Sequence, residues 1–193
     1  MLLGDVAQVQ PGYFCRGRVR SETGGTHYLL QARDVSSESG VRTDALVRFT
    51  PERNPELYLV SRGDILITAR GQRHWFYLVR EDIPNLLASS VFYVLRPRIE
   101  IVTPGYLAWW LDLSKTRAAL GVKSQGTGIR LIDRLALESL PVTVPPMAVQ
   151  QLIERVVQLR RREAELQCSI QDRRDSLIRE ACLSLLKEDQ GAP

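Results

Sequence analysis

The feature that most constrains the fold is a long stretch without Gly or Pro near the C-terminus, from Met147 to about Lys187. Within it, eight seam positions follow one another at alternating steps of four and three residues, and six of the eight are apolar. This heptad spacing predicts a single coiled-coil-type helix. The seam consists of Leu152, Val156, Leu159, Glu163, Leu166, Ile170, Arg173 and Leu177.

The predicted helix begins directly after Pro145 and Pro146, where proline starts a helix but does not continue one. At about 1.5 Å per residue it spans roughly 60 Å. A domain built from the preceding residues is narrower than that, so we expect the helix to project and to pair with a partner helix. The alternative is a long helix folded back on its own domain.

The chain has 193 residues, of which 44% are hydrophobic and 25% charged, so one globular domain with an appendage is expected. The N-terminus lacks the basic and apolar segments of a signal peptide, and no stretch is apolar enough to span a membrane. The three cysteines, Cys15, Cys168 and Cys182, form no CxxC pair, and only His27 and His74 accompany them. A metal site is therefore not expected, and a reducing cytoplasm fits best.

The net charge of +4 lies entirely in the part that precedes the helix. Residues 1–146 carry 18 basic and 14 acidic side chains, whereas residues 147–193 carry eight of each. Nearly all of the cations are Arg, which suits bidentate contacts to guanine edges and phosphates. A genome rich in G and C produces the same bias, so the charge alone is weak support for a nucleic-acid partner.

The first 100 residues are predicted to be rich in β-structure. The expected strands are Gly4–Gln10, Tyr28–Gln31, Leu57–Val60, Ile65–Thr68, Trp75–Val79 and Leu87–Leu95. Between the first two lies a stretch rich in Arg and Gly, which contains Arg16, Arg18 and Arg20. It suits either a loop that grips a polyanion or a solvated hairpin with scattered charges.

After Pro97 the pattern becomes helical. Thr103 and Pro104 predict a capped helix start, and a second helical piece runs to about Leu120. Trp109 and Trp110 are interpreted as packing residues rather than base-stacking platforms. Residues 123–130 form a second candidate gripping loop, which opens onto a helix near Leu131 and so offers backbone N–H groups to phosphate. A structural Gly-Thr-Gly turn is the alternative.

The motifs of several enzyme classes are missing from the sequence. It has no Asn/Asp-Pro-Pro-aromatic motif of amino-group methyltransferases, no phosphate-binding G-x-x-x-x-G-K-[ST] loop, and no carboxylate-x-Lys element of a common nuclease site. A Cys–His nucleophilic pair would have to involve Cys15. We therefore expect no catalysis, no cofactor and no metal.

The order of these pieces resembles one half of the DNA specificity subunit of type I restriction–modification systems. The similarity extends over nearly the whole chain, and it is the ordered set of segments that is specific. The segments are Leu3–Val6, Gly63–Ile67 with Arg70 and Gly71, Val94–Pro97, Thr103–Leu107, Gly126–Ile129, Leu140–Val142 and Pro145–Gln151.

The resemblance implies an α+β fold, in which a β-rich target recognition domain with a few short helices precedes a long coiled-coil-type helix. It assigns residues 1–146 to the DNA-reading domain, 147–187 to a dimerisation or spacer helix, and 188–193 to a disordered tail. Full-length members of that family carry two such domains and two antiparallel helices, so this chain is similar to a half-subunit with no segment before its first strand. Val149 stands where members usually have a Glu in a PPL-x-EQ motif, so the cap interaction of that Glu has no counterpart here.

The implied function is sequence-specific binding of double-stranded DNA, which directs an adenine methyltransferase subunit, and a restriction subunit where the system restricts, to a bipartite site in phage defence. Reading of bases and phosphates in the groove is expected of Arg16, Arg18, Arg20, Arg70, Gln72, Arg73 and His74. Contacts to the DNA backbone are expected from Lys123, Ser124, Gln125, Thr127 and Arg130. Two other functions remain open: an assembly or inhibitory protein that binds the methyltransferase through its helix without reading DNA, and an enzyme with an unrecognised site.

The seam also predicts how two helices pair. In an antiparallel pair centred on Cys168, Leu159 faces Leu177 and Leu166 faces Ile170. The two polar seam residues, Glu163 and Arg173, then face each other as opposite charges, whereas a parallel pair would stack like charges. The sequence thus predicts an antiparallel homodimer whose target is an interrupted palindrome. Pairing with a second specificity chain is the alternative.

Overall fold

The computed structural model describes residues 1–17, 19–36, 40–70, 75–123 and 132–189. The chain forms two compact units, Met1–Gln151 and Leu152–Pro193. The predicted α+β class is confirmed, because short helices and three small sheets precede one long helix. The further division into a DNA-reading part and a pairing helix concerns function and stays a prediction.

The helices and strands follow one another in this order: α1 (Leu3–Val6), β1 (Ala7–Pro11), β2 (His27–Leu30), β3 (Val35–Ser36), β4 (Gly40–Val41), β5 (Val47–Phe49), β6 (Ile65–Thr68), β7 (Phe76–Leu78), β8 (Leu86–Ala88), β9 (Phe92–Pro97), α2 (Pro104–Asp112), α3 (Ser114–Lys123), α4 (Arg134–Glu138) and α5 (Met147–Asp189). Single 3₁₀ turns occupy Ala32–Asp34, Thr43–Ala45 and Glu56–Tyr58.

Two sheets share the core of the first unit. The antiparallel sheet has the strand order β1-β9-β6-β7, and the mixed sheet has the order β5-β2-β8, in which β2 and β8 run parallel. Strand β8 is buried along its whole length, because Leu86 and Ala88 pack into one apolar cluster and Leu87 into another. A strand with both faces covered reads as a continuous apolar run rather than an alternating one.

Three predicted strands differ from the structure. The first half of Gly4–Gln10 is the helical turn α1, because the Asp5 carboxylate accepts the Leu2 N–H at 2.8 Å and closes the turn. Leu57–Val60 is not a strand: its first half belongs to the 3₁₀ turn Glu56–Tyr58, which begins where the Asn54 side chain accepts the Glu56 N–H at 3.0 Å. Leu59 then forms an isolated bridge with Leu87.

The predicted strand Leu87–Leu95 is divided between the two sheets. A turn closed by the Phe92 N–H on the Ser89 carbonyl, at 3.0 Å, separates β8 from β9. The other strand predictions agree with β2, β6 and β7, whereas β3, β4 and β5 were not predicted.

The predicted helices are confirmed, with one shift. Thr103 caps α2 by accepting the Tyr106 N–H at 3.3 Å. Trp109 and Trp110 are half-buried, and Trp109 packs against Tyr106. The helix expected near Leu131, which itself lies outside the described residues, is α4; its N-cap is Asp133, whose carboxylate accepts two backbone N–H groups.

An ion pair joins two of the segments that carry the resemblance. Arg96 in β9 donates from Nε and Nη2 to the two carboxylate oxygens of Asp64, each at 3.0 Å. The same carboxylate accepts the Ser61 N–H at 2.9 Å, and Arg96 also donates to the Leu59 carbonyl at 2.9 Å. Because Asp64 is only 3% exposed, this network fixes the Ser61–Asp64 turn at one end of β6.

The start of the long helix is held by a buried amide. Gln150 is 1% exposed; its Oε1 accepts the Thr103 N–H at 2.9 Å. Its Nε2 donates to the carbonyls of Ile101 at 3.0 Å and Pro145 at 2.9 Å. The first turn of α5 therefore belongs to the first compact unit, and Gln150 uses nearly its full hydrogen-bonding capacity there.

The second unit consists of the remainder of α5. Its six apolar seam residues are between 47% and 65% exposed in the single chain, and the polar seam residues Glu163 and Arg173 are exposed as well. Of the predicted tail, residues 190–193 lie outside the described residues, while residues 188 and 189 end the helix. None of the helices in the described part of the chain is both long and apolar enough to cross a membrane.

Candidate nucleic-acid interface

The junction between β8 and β9, residues 88–92, connects several segments that are distant in sequence. Each of the following hydrogen bonds attaches one segment to it: Tyr13 N–H to Ala88 O at 2.7 Å, Gly12 N–H to Phe92 O at 2.9 Å, Ser89 N–H to Leu30 O at 2.9 Å, and Ala69 N–H to Val91 O at 2.7 Å. The junction thus brings the first candidate loop, the end of β2 and the end of β6 to one place.

Gly12 makes the attachment of the first loop possible. A Cβ atom built on Gly12 would lie 2.2 Å from the Ser89 carbonyl oxygen and 2.6 Å from that of Ala88, both of which are backbone atoms. Such distances are far inside van der Waals contact, so any other residue would push the loop away from the junction.

The first candidate loop carries its predicted cations on the surface. Arg16 and Arg20 are exposed and line a cavity of about 250 Å³ between this loop and the segment after β5. Arg18 lies outside the described residues. Tyr13 anchors the loop, because its hydroxyl accepts the Arg53 N–H at 3.0 Å and its ring meets Tyr58 edge-on at 5.4 Å between centroids.

Cys15 in the same loop is not set up as a nucleophile. Burial, followed by the charge of Glu52, raises the pKa of its thiol. A reactive cysteine requires the opposite shift, which stabilises the thiolate. Within the described ranges, moreover, no group of three or more His, Cys, Asp or Glu side chains is placed to hold a metal ion.

The end of β6 carries the described ends of two further candidate segments, Arg70 before residues 71–74 and Ile132 after residues 124–131. Arg70 is exposed at the end of that strand, and residues 71–74, which include Gln72, Arg73 and His74, lie outside the described residues. Ile132 joins this strand end through its backbone. Its N–H donates to the Ala69 carbonyl at 3.0 Å, and its carbonyl accepts the Tyr93 hydroxyl at 3.2 Å.

The remaining residues that were predicted to contact the DNA backbone lie between the end of α3 and Ile132 in the sequence. Lys123 ends α3, and its side chain is not described; Ser124, Gln125, Thr127 and Arg130 lie outside the described residues. Burial and then the Asp133 carboxylate raise the pKa of Tyr93, and the guanidinium groups of Arg134 and Arg70 oppose that shift. The charge of Arg70 therefore acts on the Tyr93 hydroxyl, which donates to the Ile132 carbonyl.

Another polar segment lies at the junction, and the sequence alone did not predict it. The 3₁₀ turn Ala32–Asp34 follows β2 directly, and Arg33 and Gln31 line a second cavity, of about 380 Å³, together with Ser89 and Ser90. The sequence Gln-Ala-Arg-Asp has no Gly-rich or repeated basic pattern, so only the pairing of β2 with β8 reveals that it lies here.

The helix seam is a separate candidate interface. Its apolar side chains are exposed, as given above, and neither Glu163 nor Arg173 forms an ion pair among the described residues. The ion pairs on α5 instead join Arg161 and Arg162 to Glu165, which lies outside the seam. The seam charges thus remain available to a partner helix.

Comparison with known proteins supports the resemblance at the level of the fold. No protein-family model and no curated protein sequence matches the chain. The S subunit of a type I restriction-modification system from M. genitalium superposes with a TM-score of 0.56 at 10% sequence identity, over 82% of this chain and 37% of that chain. The HsdS subunit from Thermoanaerobacter tengcongensis gives a TM-score of 0.56 at 19% identity, over 87% and 38% of the two chains.

A structure that addresses complex assembly and conformational transition of the type I R-M system gives a TM-score of 0.64 at 18% identity, over 92% of this chain and 42% of that chain. The chain has the fold of part of a type I specificity subunit. It spans about two-fifths of the length of these three proteins, in agreement with the half-subunit predicted from the sequence. Among the described residues, Arg16, Arg20 and Arg70 of the predicted DNA contacts lie on segments attached to the β8–β9 junction, and the predicted pairing residues lie along α5.

Proposed function

We propose that this chain is a non-catalytic DNA-binding subunit, which gives sequence specificity to a type I-like methyltransferase or restriction complex. The observation that carries the proposal is the convergence at the β8–β9 junction of the first candidate loop and the Arg70 end of β6, to which Ile132 is joined in turn. The specificity-subunit fold supports the same function.

The charges at the junction suit duplex DNA. Arg16, Arg20 and Arg70 are exposed and lie on segments attached to the same few backbone groups, which supports the proposal that one DNA duplex contacts all three. Contacts to phosphate release counterions and make binding depend steeply on salt, whereas contacts to base edges determine the sequence preference.

DNA binding is tested with Arg70→Ala and with Arg62→Ala as the matched control. Arg62 is also exposed, but it lies in the turn at the opposite end of β6. If Arg70 neutralises one phosphate, its removal lowers the slope of log K against log salt by about 0.9. The control variant keeps the slope of the wild type.

If Arg70→Ala and the control bind DNA alike at every salt concentration, Arg70 makes no contact with DNA. If the wild type binds a methyltransferase but shows no sequence-dependent DNA binding, the chain is instead the assembly or inhibitory protein considered above.

We further propose that two copies pair through α5 in antiparallel orientation. The exposed seam supports this pairing, because isolated apolar side chains on one helix face gain stability when a partner helix covers them. Since the domain precedes the helix in each chain, antiparallel helices place the two domains at opposite ends of the pair. The target would then be a bipartite site with two inverted halves, and the methyltransferase would join as a separate chain.

The orientation is tested by chemical cross-linking in a background with Cys168→Ser and Cys182→Ser, which removes the two exposed thiols. Glu163→Cys and Arg173→Cys are introduced into separate chains, which are mixed, treated with a short bismaleimide and analysed by denaturing gel electrophoresis. An antiparallel pair cross-links only in the mixture. Cross-linking of Glu163→Cys alone would indicate a parallel pair, and a monomer in analytical ultracentrifugation at micromolar concentration would contradict pairing altogether.

A further inference from the structure

The second cavity, of about 380 Å³, contains polar groups that the proposed function has not yet used. Two buried side-chain oxygens at or beside it, Ser89 Oγ and Asp34 Oδ1, have no hydrogen-bond partner among the described residues. Ser89 lines the cavity itself, and Asp34 follows Arg33, which also lines it. Buried polar atoms without a hydrogen-bond partner are rare in folded proteins, and among the ion pairs of the described residues Asp34 Oδ1 takes part only in the one with the Arg33 guanidinium.

Asp34 forms an ion pair with Arg33 through its buried carboxylate. Its carboxylate is 1% exposed; Oδ2 accepts the Gln31 N–H at 2.9 Å, and Oδ1 lies 3.6 Å from Nε of Arg33. The backbone of the same turn is clamped by Arg42, which donates to the carbonyls of Arg33 at 2.6 Å and Asp34 at 2.9 Å. Arg33 therefore lies in a turn whose backbone is held by hydrogen bonds, next to the buried Asp34 carboxylate. Its own side chain is 61% exposed.

This arrangement suits a neutral partner better than an anionic one. A buried carboxylate 3.6 Å from the guanidinium would repel a phosphate, and it offsets part of the positive potential that attracts one. The edge of a base carries no net charge, and the fork of donors on a guanidinium matches the two acceptors of guanine, O6 and N7. Because the turn that carries Arg33 is held by hydrogen bonds before binding, its backbone need not be ordered when the contact forms.

We infer that Arg33 reads a guanine edge in the major groove of duplex DNA, with Asp34 as its positioning residue. The inference rests on the proposed function, because it requires DNA to lie across the β8–β9 junction. It adds to that function a specificity-determining residue and the base pair that the residue recognises.

The test measures the dissociation constant of the full chain, in complex with its modification subunit where DNA binding requires it. The probes are duplexes in which every half-site position is changed in turn to each of the four base pairs. The wild type prefers guanine at one position by roughly 5- to 150-fold, the range expected of a bidentate contact. Arg33→Ala loses that preference and keeps the preferences at the other positions.

Two further variants separate reading from charge. Arg33→Lys keeps the charge but not the fork of donors, so we expect it to lose most of the guanine preference. Arg62→Ala removes an exposed arginine at the far end of the antiparallel sheet and leaves every preference unchanged. Thermal unfolding of each variant verifies the fold.

If Arg33→Ala weakens binding to all duplexes equally, or changes nothing, the inference is wrong and the proposed function still stands. A wild-type chain with no sequence preference overturns the proposed function, and the inference with it.

Discussion

Replacement of Gln150 by Glu tests the buried side-chain hydrogen bonds that hold the first turn of the long helix. The two side chains have the same shape, so the change exchanges only an amide NH₂ for an oxygen. One carboxylate oxygen can still accept the Thr103 N–H, which Gln150 accepts at 2.9 Å. The other oxygen replaces Nε2 and faces the carbonyls of Ile101 and Pro145, to which the amide donates at 3.0 and 2.9 Å.

The cost depends on the protonation state of the new carboxyl group. When ionised, it leaves two part-buried carbonyls without this donor, at up to about 1 to 3 kcal/mol each. A loss near 3 kcal/mol corresponds to a fall in Tm of about 6 to 12 °C for a unit of this size. When protonated, it donates one O–H to one of the two carbonyls and recovers about half of that loss.

The pH dependence has a definite sign. Burial and the two carbonyl oxygens favour the neutral acid, so the pKa of the introduced Glu is raised above its unfolded value of about 4.3. The folded state then holds the proton more tightly than the unfolded state. The loss of stability is smallest below about pH 4.3 and grows as the pH rises through the raised pKa.

The assay is thermal unfolding between pH 4 and pH 8, followed by tryptophan fluorescence, because all three tryptophans lie in the first compact unit. Gln151→Glu is the matched control, since it adds the same charge one residue later at an exposed position. The difference in Tm between the two variants should widen with rising pH. Equal values across the whole range would refute the role given to Gln150.

Two other substitutions test the attachments within the first unit. Gly12→Ala should lower the free energy of unfolding by about 1 to 3 kcal/mol, because its Cβ meets backbone atoms, and urea unfolding measures the loss; Gly24→Ala, with no atom within 4 Å of the new Cβ, should stay within about 0.5 kcal/mol of the wild type. Asp64→Asn should cost about 2 kcal/mol, or about 4 to 8 °C in Tm, because it leaves Arg96 without its ionic partner. An unchanged Tm in Asp64→Asn would mean that this ion pair contributes nothing to stability.

Local periodicity explains which parts of the fold were predictable. The heptad seam of α5 and the capped start of α2 depend on residues a few positions apart, so the sequence itself displays them. The run from Leu87 to Leu95 displays no break, because residues on both sides of the turn are buried in the core. Only the hydrogen bond from the Ser89 N–H to the Leu30 carbonyl, 59 residues away, shows that the chain changes sheets there.

The candidate cations were proposed where they accompany Gly-rich backbone in the sequence. The structure attaches the segments of Arg16, Arg20 and Arg70 to one junction, and their contact with DNA stays a prediction. Arg33 was missed, because its support is the Asp34 carboxylate and its position depends on the parallel pairing of β2 with β8. Pairings between distant segments leave no trace in the composition of a short turn.

The central claim is that this chain determines which DNA sites a partner enzyme modifies. Mapping of adenine methylation across the genome of a host, with and without the gene for this chain, tests that claim directly. We predict that methylation at one interrupted palindrome disappears without the chain and returns when the chain is supplied again. An identical set of methylated sites in both strains would contradict it.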